Sequence, residues 1–133
     1  MLHLMEKSFS HERLLVYNRS LEFVEFAHEI LSKQKDKSNV YDQLDRASTS
    51  IALNIAEGTG KYTNKDKCRY YDIARGSAVE SAACLDVLLK RKMITIDENI
   101  KGKEILLAIV SMLVGLIKSS SDRLYESDSN YSV

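Results

Sequence analysis

No proline interrupts the 133 residues of this chain. Proline removes a backbone donor and clashes with the preceding turn, so a chain without it can build long helices. Apolar spacing divides the sequence into four helical stretches separated by short polar breaks. The first runs from about Ser10 to Lys35, with Leu14, Tyr17, Leu21, Val24, His28 and Leu31 predicted on one face. The second runs from about Val40 to Glu57, with Asn39 as its expected N-cap and a stripe of Leu44, Ala47, Ile51 and Asn54. Gly58-Thr59-Gly60 is predicted to end it through a left-handed glycine.

The third stretch runs from about Asn64 to Lys92, opened by Thr63 and Asp66 at capping-box spacing. Its inner face, Tyr70, Ala74, Ser77, Ser81, Leu85 and Leu88, is mostly small, which lets a neighbouring helix approach closely. The fourth runs from about Asp97 to Leu124. Between Ile105 and Ile117 it is apolar apart from Ser111 and Gly115. That run falls short of the roughly 20 residues that span a bilayer. A helix apolar all round is buried all round. In so small a bundle this predicts either packing against other subunits or a central helix wrapped by its three neighbours.

The expected fold is therefore all-α, an antiparallel up-and-down four-helix bundle. A single domain is expected over residues 1–126, with a polar, disordered tail over 127–133. Lys+Arg and Asp+Glu are both 19. A dedicated DNA-binding domain is usually basic, so any nucleic-acid surface here is local or built by assembly. Neutrality also leaves little global repulsion against self-association. Cys68 and Cys84, sixteen residues apart on one predicted helix, lie about 24 Å from each other. Both are read as free thiols in a reducing compartment. With no apolar signal core between Met1 and Phe9, a cytoplasmic location is expected, away from any membrane.

The residues offer no catalytic constellation. The three histidines form no close ligand pair, and the cysteines make no CxxC. His28, on the predicted apolar stripe, reads as a hydrogen-bonded core or edge histidine. Gly60-Lys61 fails the phosphate-loop pattern at Ile55 and Tyr62, and follows a helix rather than a strand. Neither a cofactor nor a bound metal is expected, since a di-iron bundle needs Glu-x-x-His. Asn54, Glu57, Ser77 and Glu80 are expected to form a polar network across the second and third helices. The two carboxylates leave an acid–base or metal site as the lesser alternative.

The most basic stretch is Lys61 to Arg75, with Lys61, Lys65, Lys67, Arg69 and Arg75 interleaved with Tyr62, Tyr70 and Tyr71. Such a mixture contacts phosphates and stacks bases. In one monomer a solvated helix face is the favoured account; repetition around an oligomer turns it into a continuous basic surface. Lys90-Arg91-Lys92 forms a second cluster.

Two runs carry a family likeness: Ser50-Ile51-Ala52-Leu53-Asn54-Ile55-Ala56-Glu57-Gly58, within Gln43 to Gly58, and Ala74-Arg75-Gly76-Ser77-Ala78-Val79-Glu80. They match the patterns S-I-A-x-N-I-A-E-G and A-R-G-S-A-x-E. The chain thus resembles the bacterial 23S rRNA intervening-sequence proteins, specifically so in the second and third helices. That family is in turn similar to the accessory protein of diversity-generating retroelements, a pentameric ring that binds nucleic acid and a reverse transcriptase. The resemblance implies a homopentamer, a partner that is RNA, DNA or another protein, and no catalytic residues. What it carries over is a signature: Ser50, Asn54, Glu57 and Gly58 on one helix, and Arg75, Gly76, Ser77 and Glu80 on the next. These residues serve the bundle, a subunit interface or a binding site; the sequence leaves the three open.

Overall fold

The computed structural model describes residues 8–131, with side chains described as far as Ser121. Of the expected tail over 127–133, the backbone of residues 127–131 is helical, and residues 132–133 lie outside the described residues. A 3-10 turn at Ser10–Arg13 leads into α1 (Leu15–Ser32), α2 (Asn39–Thr59), α3 (Asn64–Lys90) and α4 (Ile96–Tyr131). Six, four and five residues join successive helices. Connections this short make consecutive helices antiparallel neighbours. The contacts agree: α1 meets α2, α2 meets α3, α3 meets α4 and α4 returns to α1, while the diagonal pairs do not approach among the described residues. The two seams made by α3 are the most extensive. No helix among the described residues is long and apolar enough to cross a membrane.

Each helix contributes one line of side chains to a single core. Phe23, Ile30, Leu44, Ile51, Ile55, Leu85, Leu88, Ile109 and Leu113 sit at its centre. In α1 the buried line is Val16, Ser20, Phe23, Phe26, Ala27, Ile30 and Leu31. That differs from the expected face: Leu21 and His28 are exposed. Two apolar lines run along this helix at helical spacing. The inward one carries both phenylalanines, and burying aromatic area outweighs burying one leucine. His28 is therefore a solvent-facing histidine, not a core one.

The connections are fixed by local hydrogen bonds. Thr63 Oγ1 accepts from the Asp66 backbone N–H at 3.1 Å and caps α3. Thr95 and Glu98 form a reciprocal capping box before α4, at 3.1 and 2.9 Å. Gln34 Nε2 donates to the carbonyls of Ile30 and Met93, tying the end of α1 to the turn before α4. Ser38, not Asn39, stands at the N-cap of α2. No glycine takes a left-handed conformation, and Gly60 ends α2 at φ −80°. The left-handed residue belongs to the α3–α4 turn, at Lys92 (φ 60°).

Gly58 and Gly102 mark the closest approaches. A Cβ on Gly58 would sit 2.9 Å from Tyr70 Cβ and 3.0 Å from the Tyr71 ring. One on Gly102 would sit 2.6 Å from Leu85 Cδ1 and 2.7 Å from Phe26 Cε1. On the outside of the α3–α4 seam, Asp86 pairs with Lys103 and accepts from Asn99 Nδ2. The Lys103 hydrogen bond, assisted by Asn99, holds the Asp86 carboxyl below its ordinary range.

The two glycines at the end of α2 make a controlled pair. Gly58→Ala is expected to lower the unfolding free energy by about 1–2 kcal/mol through overpacking. Gly60→Ala has room for its methyl group and a compatible φ, and is expected to leave stability unchanged or raise it by up to about 1 kcal/mol. Urea denaturation followed by circular dichroism distinguishes the two.

Candidate functional site

The α2–α3 seam is knitted by small and polar side chains. Ser50 Oγ and Ser77 Oγ lie 2.8 Å apart. Asn54 Nδ2 donates to both the carbonyl and the hydroxyl of Ser50, each at 2.9 Å. Ser81 Oγ donates to the Ser77 carbonyl at 2.9 Å. One turn from Asn54, Thr59 Oγ1 donates to the Ile55 carbonyl, so the Tyr71 hydroxyl donates to Thr59 across the seam at 3.0 Å. The expected network therefore forms through Asn54, Ser50 and Ser77.

Glu57 and Glu80 do not join it. Both are exposed, with no hydrogen bond or ion pair among the described residues. The Ser50–Ser77 contact fixes an antiparallel register that places Glu57 level with Tyr70. Glu80 is ten residues further along α3, about 15 Å away. A glycosidase-type carboxylate pair works at roughly 5–9.5 Å, and two metal ligands stand closer still. The pair has no shared chemistry. Cys68 and Cys84 are both free on α3. Burial, reinforced by nearby Glu80, pushes the Cys84 thiol above its ordinary range, which makes it a poor nucleophile.

A shallow cleft of about 350 Å³ opens at one end of this seam, lined by Gln43, Arg46, Ala47, Ser50, Ser77 and Glu80. Arg46 belongs to no basic run or spacing motif in the sequence. Only the helical register shows that it shares a cleft with Glu80.

The basic stretch divides in two. At the tip of the α2–α3 turn, Lys61 Nζ lies 5.0 Å and Arg69 Cζ 4.9 Å from the centre of the Tyr70 ring. The ring is thus contacted by two cations. Tyr62 is fully exposed beside them, and Lys65 projects into solvent. Lys67 is engaged otherwise: its Nζ donates to the Thr59 carbonyl at 2.8 Å and satisfies the C-terminus of α2. Arg75 is paired with Asp72 at 3.0 Å. The structure thus brings Lys61, Lys65 and Arg69 together and sets Lys67 and Arg75 apart. The Lys90–Lys92 cluster lies at the far end of α3, about 38 Å from Lys65.

The outer side of α4 is a third feature. Between Glu104 and Lys118 it presents no charge. Leu107 is 69% and Val114 46% exposed. An apolar groove of about 230 Å³ runs beside them, between Val79 and Ala82 of α3 and Leu106 and Val110 of α4. Leu113, by contrast, is fully buried in the core, so a charge there unfolds the bundle rather than probing its surface.

The model of the 23S rRNA-intervening sequence proteins matches residues 12–115. The chain belongs to this family. It is similar to a crystal structure of a protein of unknown function from the S23 ribosomal protein family of Bacteroides thetaiotaomicron, at 25% identity and a TM-score of 0.73. The likeness covers 78% of this chain and 99% of that one. No curated protein matches the sequence. In this family member, the signature residues separate by role. Ser50, Asn54, Gly58 and Ser77 hold α2 against α3, while Glu57, Gly76 and Glu80 face outward.

Removing one hydroxyl tests the seam. Ser50→Ala is expected to cost about 1 kcal/mol, because Asn54 and Ser77 each lose a partner. A double-mutant cycle with Ser77→Ala is expected to show a coupling of about 0.5–1 kcal/mol, read by thermal or urea unfolding.

Proposed function

We propose that this protein is a non-enzymatic, oligomeric binding protein of the cytoplasm that contacts RNA or another nucleic acid through the tip of its α2–α3 turn. The observation that carries the reading is the Lys61–Tyr70–Arg69 cluster with exposed Tyr62 and Lys65 beside it. Cations on a helix-bound aromatic platform suit single-stranded nucleic acid, whose phosphates meet the charges and whose bases stack on the rings. Three cations in a neutral chain bind weakly alone. Repetition of this tip around a homopentameric ring multiplies the charges that one RNA strand meets. The uncharged outer side of α4 supports the assembly, since Leu107 and Val114 are left in water by the single chain.

A second reading rests on that same apolar groove: a scaffold that binds another protein there and no nucleic acid at all.

Fluorescence anisotropy with a labelled single-stranded RNA separates them. Binding at low salt is expected, with log K falling linearly against log salt. Lys61→Ala, Lys65→Ala and Arg69→Ala together are expected to weaken binding at least tenfold. The salt slope is expected to flatten by about one unit for each phosphate that is no longer neutralised. Lys67→Ala acts on the stability of α2 instead. Absence of binding by the wild-type protein at low salt contradicts the proposal and favours the scaffold.

A further inference from the structure

The outward face of α2 and α3 carries four charges that the fold does not use. Arg46 and Glu57 lie eleven residues apart on α2; Arg69 and Glu80 lie eleven residues apart on α3. The register set by Ser50 and Ser77 places Arg46 within one residue of level with Glu80, and both line the same cleft. At the other end the same register places Glu57 level with Tyr70, next to Arg69 in the chain. The four charges thus mark the corners of a rectangle about 16 Å long. Their signs alternate around it, plus beside minus at both ends and along both helices. All four residues are exposed, and none has an ion-pair partner among the described residues. Arg69 meanwhile rests on the Tyr70 ring of its own helix.

Between the corners two apolar side chains are exposed. Leu53 is 64% and Ile73 45% exposed. Between them and the Glu80 corner lies Gly76, where a Cβ would meet nothing within 4 Å. A glycine inside a helix costs about 1 kcal/mol relative to alanine, and no neighbour within this chain requires it. It does allow another helix to come close. An apolar centre rimmed by charges is the anatomy of a protein interface.

We infer that this face docks on the same face of a second copy of the chain, through a two-fold axis. An alternating rectangle is its own complement. If the axis runs across the helices, Arg46 meets Glu57 of the second copy and Arg69 meets Glu80. If it runs along them, Arg46 meets Glu80 and Glu57 meets Arg69. Every corner finds the opposite charge in either case, and each pair occurs twice by symmetry. A partner of uniform charge finds two corners of the wrong sign. The contact goes beyond the proposed ring and does not require it. A ring closes through heterologous contacts at α4, whereas this contact joins bundles, or rings, two at a time.

The test is solution mass by light scattering at micromolar concentration and low salt. The wild-type protein is expected at an even number of chains. Arg46→Glu replaces both symmetry-related attractions by repulsions and is expected to halve the mass, raising the dissociation constant about tenfold or more. Glu57→Arg added to it restores the mass if the axis crosses the helices; Glu80→Arg added to it restores the mass if the axis follows them. Leu53→Asp is expected to halve the mass whichever axis is used. All four positions are solvent-facing, and circular dichroism is expected to show unchanged helix content in each variant. An odd number of chains, an unchanged mass in Arg46→Glu and Leu53→Asp, or recovery in neither double variant overturns the contact. A five-chain mass indifferent to these substitutions does so while leaving the ring intact.

Discussion

The close approach of α2 to α3 is the constraint on which the remaining structure depends. It is possible because the facing positions are small: Gly58 against Tyr70 and Tyr71, Ser50 against Ser77, and Ala74 within the core. Hydroxyls at such a seam do more than fill space. The Asn54–Ser50–Ser77 chain fixes the register, because a slip by one residue breaks several hydrogen bonds together. Once the register is set, the positions of the outward residues follow. The charge rectangle, the cleft and the cation–tyrosine tip are all consequences of which residue of α2 stands level with which residue of α3.

The sequence is most legible where small residues and glycines punctuate it. The stripe on α2 and the Ala74–Ser77–Ser81–Leu85–Leu88 line on α3 lie where spacing places them, but Tyr71 rather than the expected Tyr70 is the tyrosine buried at the start of that line. The face of α1 is ambiguous in sequence because two apolar lines satisfy the same periodicity, and only packing shows that the phenylalanines turn inward. The capping box at Thr95 and Glu98 has a spacing signal of its own, hidden beside the stronger apolar run that follows it. The end of α2 is blurred for a different reason: Gly60 continues in the right-handed region, so its conformational freedom is not used.

The site is legible in composition and not in partnership. Spacing marks Lys61 to Arg75 as basic and aromatic, but cannot show that Lys67 satisfies a helix end or that Arg75 is held by Asp72. It groups Glu57 with Glu80 because both sit near the seam. Antiparallel register carries them to opposite ends, where each stands beside an arginine instead. Three surfaces then point in three directions: an apolar ridge on α4, an alternating-charge face on α2 and α3, and a basic tip at the turn. A small neutral bundle with surfaces so arranged is suited to assembly, with the tip left at the rim of each copy. Arg69 belongs to both the tip and the charged face, which couples the two.

Native mass spectrometry of the protein with a short single-stranded RNA at low ionic strength tests the central claim most directly. The account predicts complexes holding several chains together with RNA, from which the RNA dissociates as salt rises while the chains stay together longer through their apolar contacts. A single 15.1-kDa species that takes up no RNA at any salt concentration contradicts it.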